Sequence, residues 1–398
     1  MLDNLDQVRN AYFIACVNPK LPNKRKEQSL STENKRVRLQ LRSIALFQFK
    51  NYFHQEFSFS ERLVGICGKN GLGKTNLLDA VHYLCFTKSY FTRLDALNAL
   101  HGHKGFRLEG HFLLGEREEK AVCIIRETGK KEFSLNEQSY SRFSQHIGHY
   151  PCVVIAPDDV QLIIGGSEER RKFLDTLLSQ LDAPYLQSLI AYTKILQQRN
   201  SFLRAYNDGF GNRDLSVLDI LDEQLAHEAL VLSGKRKTFL LQFLPMVKTL
   251  YNEIARQYEA VSVVYESELL EQDLCMLLQQ NRQKDLVVQR TSSGIHRDDL
   301  LFQLGQHPFK NVASQGQRKS LLFALKLAEL EVLKREKGVA PLLLLDDVFE
   351  KLDEERIFNL LQRVCTETES QVFITDTNCN RLESALGKLQ HGFQLISL

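Results

Sequence analysis

The chain has 398 residues, enough for two or three domains, and 43% of them are hydrophobic, so it can bury a large core. Fifty-one Lys and Arg stand against 49 Asp and Glu, a formal net charge of +2, so any polyanion must be bound by a local patch rather than a global field. No run reaches the roughly 18 apolar residues that a membrane span needs, and acids at Asp3 and Asp6 argue against a secretory signal. The eight cysteines (Cys16, Cys67, Cys85, Cys123, Cys152, Cys275, Cys365, Cys379) show no C-x-x-C spacing and mostly lie among apolar neighbours. They read as reduced core residues of a cytosolic protein.

Residues 1–36 end in the aperiodic polar run "NPKLPNKRKEQSLSTENKR", which reads as a loose tail outside the fold. From Arg38 to Phe59, apolar and polar residues alternate in two runs broken near Lys50 and Asn51, the pattern of two strands joined by a turn. "RLVGIC" is a third strand and leads straight into "GKNGLGKT". Beyond that loop, Leu77, Leu78, Val81 and Leu84 give a helix its buried face, and "FRLEGHFLL", "KAVCIIRE" and "YPCVVIAP" read as further strands. The character changes near Ser167. From there to about Met246 the text is helical, with a stripe of Phe173, Leu174, Leu177, Leu178 and Leu181. Gly209 and Gly211 mark a turn between two antiparallel helices, and strand-rich text is expected to return near Asp285.

Three features carry chemistry. "GKNGLGKT" fits G-x-x-x-x-G-K-[ST]: Gly68, Lys69, Asn70, Gly71, Leu72 and Gly73 curl so that backbone N–H groups face a β-phosphate at a helix N-terminus. Lys74 would bridge the β- and γ-phosphates, and the Thr75 hydroxyl would ligate Mg²⁺. "PLLLLDDVF" then supplies a buried strand ending in two acids, Asp346 as the magnesium ligand and Asp347 as the carboxylate that orients or deprotonates attacking water. Third, Ser314, Gln315, Gly316 and Gln317 open a helix striped by Leu321, Leu322, Leu325, Ala328 and Val332, a second anion site. One molecule cannot easily bring both anion sites to one phosphate, so a two-fold dimer with composite sites is the natural solution.

Together with "FKNY", "APDDVQLIIGGSEERRKFLDTLL", "SSGIHRDDL" and "LLLLDDVFEKLD", these motifs resemble the ABC-type ATPase heads of the SMC class, and among them the RecF family of bacterial recombination-repair ATPases. The resemblance runs from about Leu39 to the carboxyl end. It implies an α/β fold: an ABC-type P-loop ATPase head with an inserted, mainly α-helical second lobe and no long coiled coil. The halves of the head would be 37–166 and 285–398 and the lobe 167–284. ATP and Mg²⁺ are the implied cofactors, with Lys74, Asp346 and Asp347 catalytic and Ser314 to Gln317 offered in trans. Asp353 matches a loop at the dimer interface. Thr375 and Asp376 stand where related heads often carry a γ-phosphate-sensing histidine.

Two positions depart from the family pattern: Lys50 replaces a usual arginine that bears on adenine or DNA contacts, and Ile295 replaces a proline. What is known of the family implies a cytoplasmic switch. ATP would close a homodimer on single- and double-stranded DNA at gapped junctions, slow DNA-stimulated hydrolysis would reopen it, and RecO and RecR would join it in loading RecA. Lys130-Lys131, Arg170 to Lys172 and Lys235 to Lys237 read as solvated faces first, and His296 as part of a structural segment. His101, His103, His146 and His149 lack helpful partners for a metal. A small-molecule kinase would leave the Ser314 segment unexplained, and another SMC-like head would usually add a nuclease domain or heptad arms.

Overall fold

The structure, a computed structural model, describes residues 37–207, 214–255, 259–348, 361–364, 369–389 and 391–398. The amino-terminal tail, the Gly209–Gly211 turn, Asp353, Cys16 and Cys365 lie outside them.

The alternating run after Arg38 folds as β1 (Leu39–Phe49) and β2 (Tyr52–Ser58), antiparallel across the turn at Lys50 and Asn51. "RLVGIC" forms β3 (Leu63–Cys67), and helix α1 (Lys74–Phe86) follows the glycine loop. β4 (Phe106–Leu114), β5 (Arg117–Ile125), β6 (Lys131–Leu135) and β7 (Gln138–Ser139) complete a six-stranded antiparallel sheet in the order β2-β1-β4-β5-β6-β7. β8 (Cys152–Ile155) starts the second sheet and leads to three helices: α2 (Ser167–Leu181), α3 (Ala183–Asn207) and α4 (Ser216–Ala255).

Phe173, Leu174, Leu177 and Leu178 are buried on α2, as their spacing requires. Two guanidiniums are sealed within this lobe. Arg199 lies between Asp222 at 2.6 Å and Asp285 at 2.7 Å, and Arg236 between Asp175 and Asp298, each at 2.6 Å.

The return to strands comes earlier than Asp285. β9 (Val261–Glu266) pairs antiparallel with β10 (Asp299–Leu304), and β11 (His307–Pro308) completes a three-stranded sheet. Val261, Val263 and Val264 supply the β-branched signal, but the run is short beside the 40-residue α4 before it. Asp285 itself sits in a short helix, Arg282–Val288, with its carboxylate paired to Arg199.

α5 (Gln315–Lys337) is buried on nearly every side between Ser320 and Leu333 rather than along one stripe. It packs against α2, α4 and β8, so even Lys326 and Glu329 are enclosed and pair with each other at 3.2 Å.

β12 (Leu342–Leu345), β13 (Val372–Asp376), helix α6 (Cys379–Gly387) and β14 (Phe393–Ser397) end the chain. The second sheet is parallel throughout, in the order β14-β3-β13-β12-β8. Its residues alternate between two cores. Val64, Ile66, Leu344 and Phe373 join α1 and the antiparallel sheet, while Leu63, Leu343, Val372 and Ile374 join the helical side. Burial on both faces is why these strands read as unbroken apolar runs.

Cys67 and Cys379 are joined in a disulfide across 312 residues, which corrects their reading as reduced thiols. Spacing along the chain could not show it, because β3 and α6 meet only in the folded protein. Cys85, Cys123 and Cys152 are free and buried.

Candidate functional site

The phosphate loop is shaped by its glycines and braced from β2. Gly73 has φ 108°, and a Cβ there would lie 2.6 Å from Asn51 Nδ2 and 2.8 Å from the Tyr52 hydroxyl, so only glycine fits. Those neighbours hold the loop: Asn51 Nδ2 donates to the Leu72 carbonyl and the Tyr52 hydroxyl to the Gly73 carbonyl, each at 3.0 Å. Asn76 Nδ2 donates in turn to Asn51 Oδ1 at 2.7 Å. Gly68 and Gly73 are buried, whereas Lys69, Asn70, Gly71 and Leu72 are exposed. Lys74 is 4% exposed and donates to the carbonyls of Gly68 at 2.9 Å and Lys69 at 3.2 Å.

The acids arrive from two strands away. Asp346 follows β12, and its backbone N–H donates to Ile155 of β8 at 2.9 Å. The Thr75 hydroxyl lies 3.0 Å from both Asp346 carboxylate oxygens. Thr375, at the end of the intervening β13, donates to Asp346 Oδ1 and accepts from the Asp347 backbone N–H, both at 2.8 Å. Three adjacent parallel strands therefore deliver loop, threonine and acids to one edge. Burial is the main force raising the Asp346 pKa above the ordinary carboxylate value; the Thr375 and Thr75 hydroxyls and the Lys74 charge oppose it, and Asp347 adds to it. A buried carboxylate beside a hydroxyl is a donor set that fits a hard divalent ion such as Mg²⁺. Asp347 has φ 42°, the left-handed region that Asp tolerates.

Asp376 is not aimed at this edge: Arg381 pairs with it at 2.5 and 2.8 Å. Ser314 to Gln317 stand apart from the loop, and among the described residues no hydrogen bond joins the two segments. Ser314 caps α5: its hydroxyl accepts from Gln317 N–H at 3.2 Å, and Gln317 Oε1 accepts from Ser314 N–H at 2.8 Å. Gln317 Nε2 also donates to Glu259 at 2.8 Å. Ser314 and Gln315 are exposed.

Several basic residues read as solvated are structural instead. Arg170 grips Asp299 through two bonds of 2.6 and 3.0 Å, Arg171 donates to the Asp298 carbonyl at 2.7 Å, and Arg236 is buried. Lys131 pairs with Asp95 at 3.1 Å. Lys50 is turned inward to Asp79 at 2.5 Å, so its charge serves α1 rather than a ligand. His296 bonds the Tyr192 hydroxyl at 2.7 Å and the Thr291 carbonyl at 3.1 Å. Among the described residues no three metal-type side chains gather. His146 bonds the Leu84 carbonyl at 2.8 Å, and His149 bonds Glu119 at 2.8 Å. A cavity of about 310 Å³, lined by His82, Tyr90, Asp159, Lys326 and Glu329 among others, includes no residue of the phosphate loop or its acids. A kinase acceptor pocket would have to open onto them.

Sequence reasoning missed the bracing by Asn51 and Tyr52, although "FKNY" carried the signal, and missed Thr375 as the bridge between the two acids.

Parallel sheet, phosphate loop and strand-end acids define an ABC-type P-loop ATPase head. The chain matches the family described as "RecF/RecN/SMC N terminal domain" over residues 40–393. It is 43% identical over 362 residues to the DNA replication and repair protein RecF of Flavobacterium johnsoniae, covering 90% of this chain and 100% of that protein. Identity to the RecF protein of Phocaeicola vulgatus is 38%, covering 90% and 96%. The solved structure of the recombination mediator protein RecF with ATP, described as part of the RecFOR pathway, superposes with a TM-score of 0.79 at 28% identity, covering 87% of this chain and 94% of that one. The chain belongs to the RecF family of DNA replication and repair proteins. Among the described residues, no helix is long and apolar enough to cross a membrane.

Proposed function

We propose that the chain is an ATP-dependent DNA-binding switch of recombinational repair and replication-fork maintenance, acting in the cytoplasm. ATP closes a homodimer on gapped DNA at junctions of single and double strand, and slow, DNA-stimulated hydrolysis to ADP and phosphate opens it. RecO and RecR are the partners in aiding RecA loading.

The observation that carries this reading is the convergence of Thr75 and Thr375 on the Asp346 carboxylate, at 3.0 and 2.8 Å, beside the phosphate loop. Lys74 exchanges its carbonyl partners for phosphate oxygens, and the backbone N–H groups of residues 68–75 receive the rest of the anion. Thr75 and Asp346 would hold Mg²⁺, which supplies charge neutralisation at the transferring phosphoryl group. Asp347, fixed through its backbone to Thr375, orients or deprotonates water.

Helix length supports a site completed by a second copy. α5, with 23 residues, is about 35 Å long, and β12, which follows it after a short connection and has four, is about 13 Å. The amino end of α5, with Ser314 and Gln315 exposed, thus reaches well past the strand's carboxyl end, where a partner's nucleotide could be met.

The test is equilibrium binding of a labelled gapped duplex with and without ATP at two salt concentrations. Tighter binding with ATP and steep salt dependence are expected of a phosphate-directed contact. Binding indifferent to ATP would contradict the switch.

A further inference from the structure

We infer that Cys67 and Cys379 form a redox-modification site through which thiol oxidants control nucleotide binding; the inference rests on the reading of the adjacent loop as an ATP site.

The pair is built by the fold. Leu63, Gly65 and Cys67 share one face of β3, and Gly65, with no side chain, lets Leu382 and Leu386 of α6 come within 3.0 Å of where its Cβ would be. That close packing sets the first residue of α6 above the last of β3, with the two Cα atoms 5.1 Å apart. The two sulfurs differ in reach. Cys67 is fully buried, whereas Cys379 is half-buried at the amino end of α6, where a helix stabilises a thiolate. The other described cysteines lack this setting. Burial pushes the Cys123 thiol up to about 12 and that of Cys152 well above its usual value. The Cys275 thiol is also raised.

The chemistry balances with a low-molecular-weight disulfide such as oxidised glutathione. The Cys379 thiolate attacks one sulfur of the oxidant and releases one thiol. Cys67 then loses its proton and attacks the Cys379 sulfur of the mixed disulfide, releasing the second thiol. The protein loses two electrons and two protons, and the oxidant gains them as two thiols.

The bond lies at the pivot of the phosphate loop. The Cys67 carbonyl accepts from Leu398 N–H at 2.9 Å, and Gly68 N–H donates to the Asp376 carbonyl at 3.3 Å. The Gly68 carbonyl holds Lys74 at 2.9 Å. The disulfide ties this peptide to the segment following β13, so the turn of the Gly68 peptide that frees Lys74 for a phosphate is restrained. Reduction removes the tether. If the linked form populates the binding-competent loop about a tenth as often, its apparent Kd for ATP rises about tenfold.

The experiment uses the full chain, equilibrated in graded ratios of reduced to oxidised glutathione. Non-reducing peptide mass spectrometry reads the Cys67–Cys379 linkage, and a fluorescent ATP analogue reads affinity in the same samples. The linkage should rise with oxidant while affinity falls about tenfold. Cys379→Ser, Cys379→Ala and, in a second background, Cys275→Ser separate the sites. The first two should bind the analogue as tightly as the reduced wild type in every buffer, and the third should respond as the wild type does. Absence of the linkage in excess oxidant would overturn the inference, as would a linked protein with unchanged affinity or an oxidant response that survives in Cys379→Ser. Failure of the fully reduced wild type to bind the analogue would instead defeat the ATP-site reading, and the inference with it.

Discussion

Lys74 donates to two backbone carbonyls of its own loop, so phosphate binding trades neutral acceptors for charged ones. That trade depends on the loop holding its shape, which Tyr52 enforces from outside the motif. Tyr52→Phe removes one hydrogen bond worth about 1 kcal/mol and should weaken ATP binding about fivefold with little loss of fold. Calorimetric titration checks it; unchanged affinity would make the bond incidental. Asp347→Asn isolates the catalytic step, because Asn also tolerates the left-handed backbone found there. The variant should keep ATP affinity and lose about a hundredfold or more in turnover, and hydrolysis at the wild-type rate would remove Asp347 from its proposed role.

Elements show which parts of this design are legible along the chain. The loop and strand-end acids were, because their chemistry is local: glycine spacing fixes the cradle, and four leucines before two acids fix a buried strand and its exit. The contacts that hold the lobe were not, because their partners are distant in sequence. Arg236 lies in a basic triplet that reads as a solvated face, yet it is 1% exposed and tied to Asp175, Asp298, Tyr185 and the Ile295 carbonyl. No periodicity in α4 announces that Asp298, 62 residues on, folds back to it. The same limit hid the Cys67–Cys379 pairing and the burial of α5 on all sides. Arg236→Ala strands the buried Asp298 carboxylate and unpairs the half-buried Asp175, and should cost about 3–5 kcal/mol in urea unfolding. A loss below about 1 kcal/mol would place Arg236 among exposed ion pairs.

At the scale of the molecule, three histidines, His82 and His146 buried and His296 partly so, tie stability to pH. Burial, foremost, lowers His82, His146 and His296 to about 4 from the usual 6.5, so the fold keeps them neutral. Below about 6.5 the unfolded chain takes up protons that the folded chain refuses until about 4. Their contribution is therefore fully present above 6.5 and is lost as pH falls through that window, by about 2 kcal/mol per histidine near pH 5. Urea midpoints at about pH 7.5 and about pH 5 test this, and equal midpoints would contradict it. The central claim concerns two molecules: each chain's Ser314 segment completes the other's ATP site. Ser314→Arg should spare ATP binding and block pairing. Sedimentation velocity with ATP, with ADP and without nucleotide, each with and without a gapped duplex, tests the claim most directly. The wild type is predicted to dimerise with ATP alone, more so on gapped DNA, and the Ser314→Arg chain to remain monomeric; a wild-type monomer under every condition, or a variant that still dimerises with ATP, would contradict it.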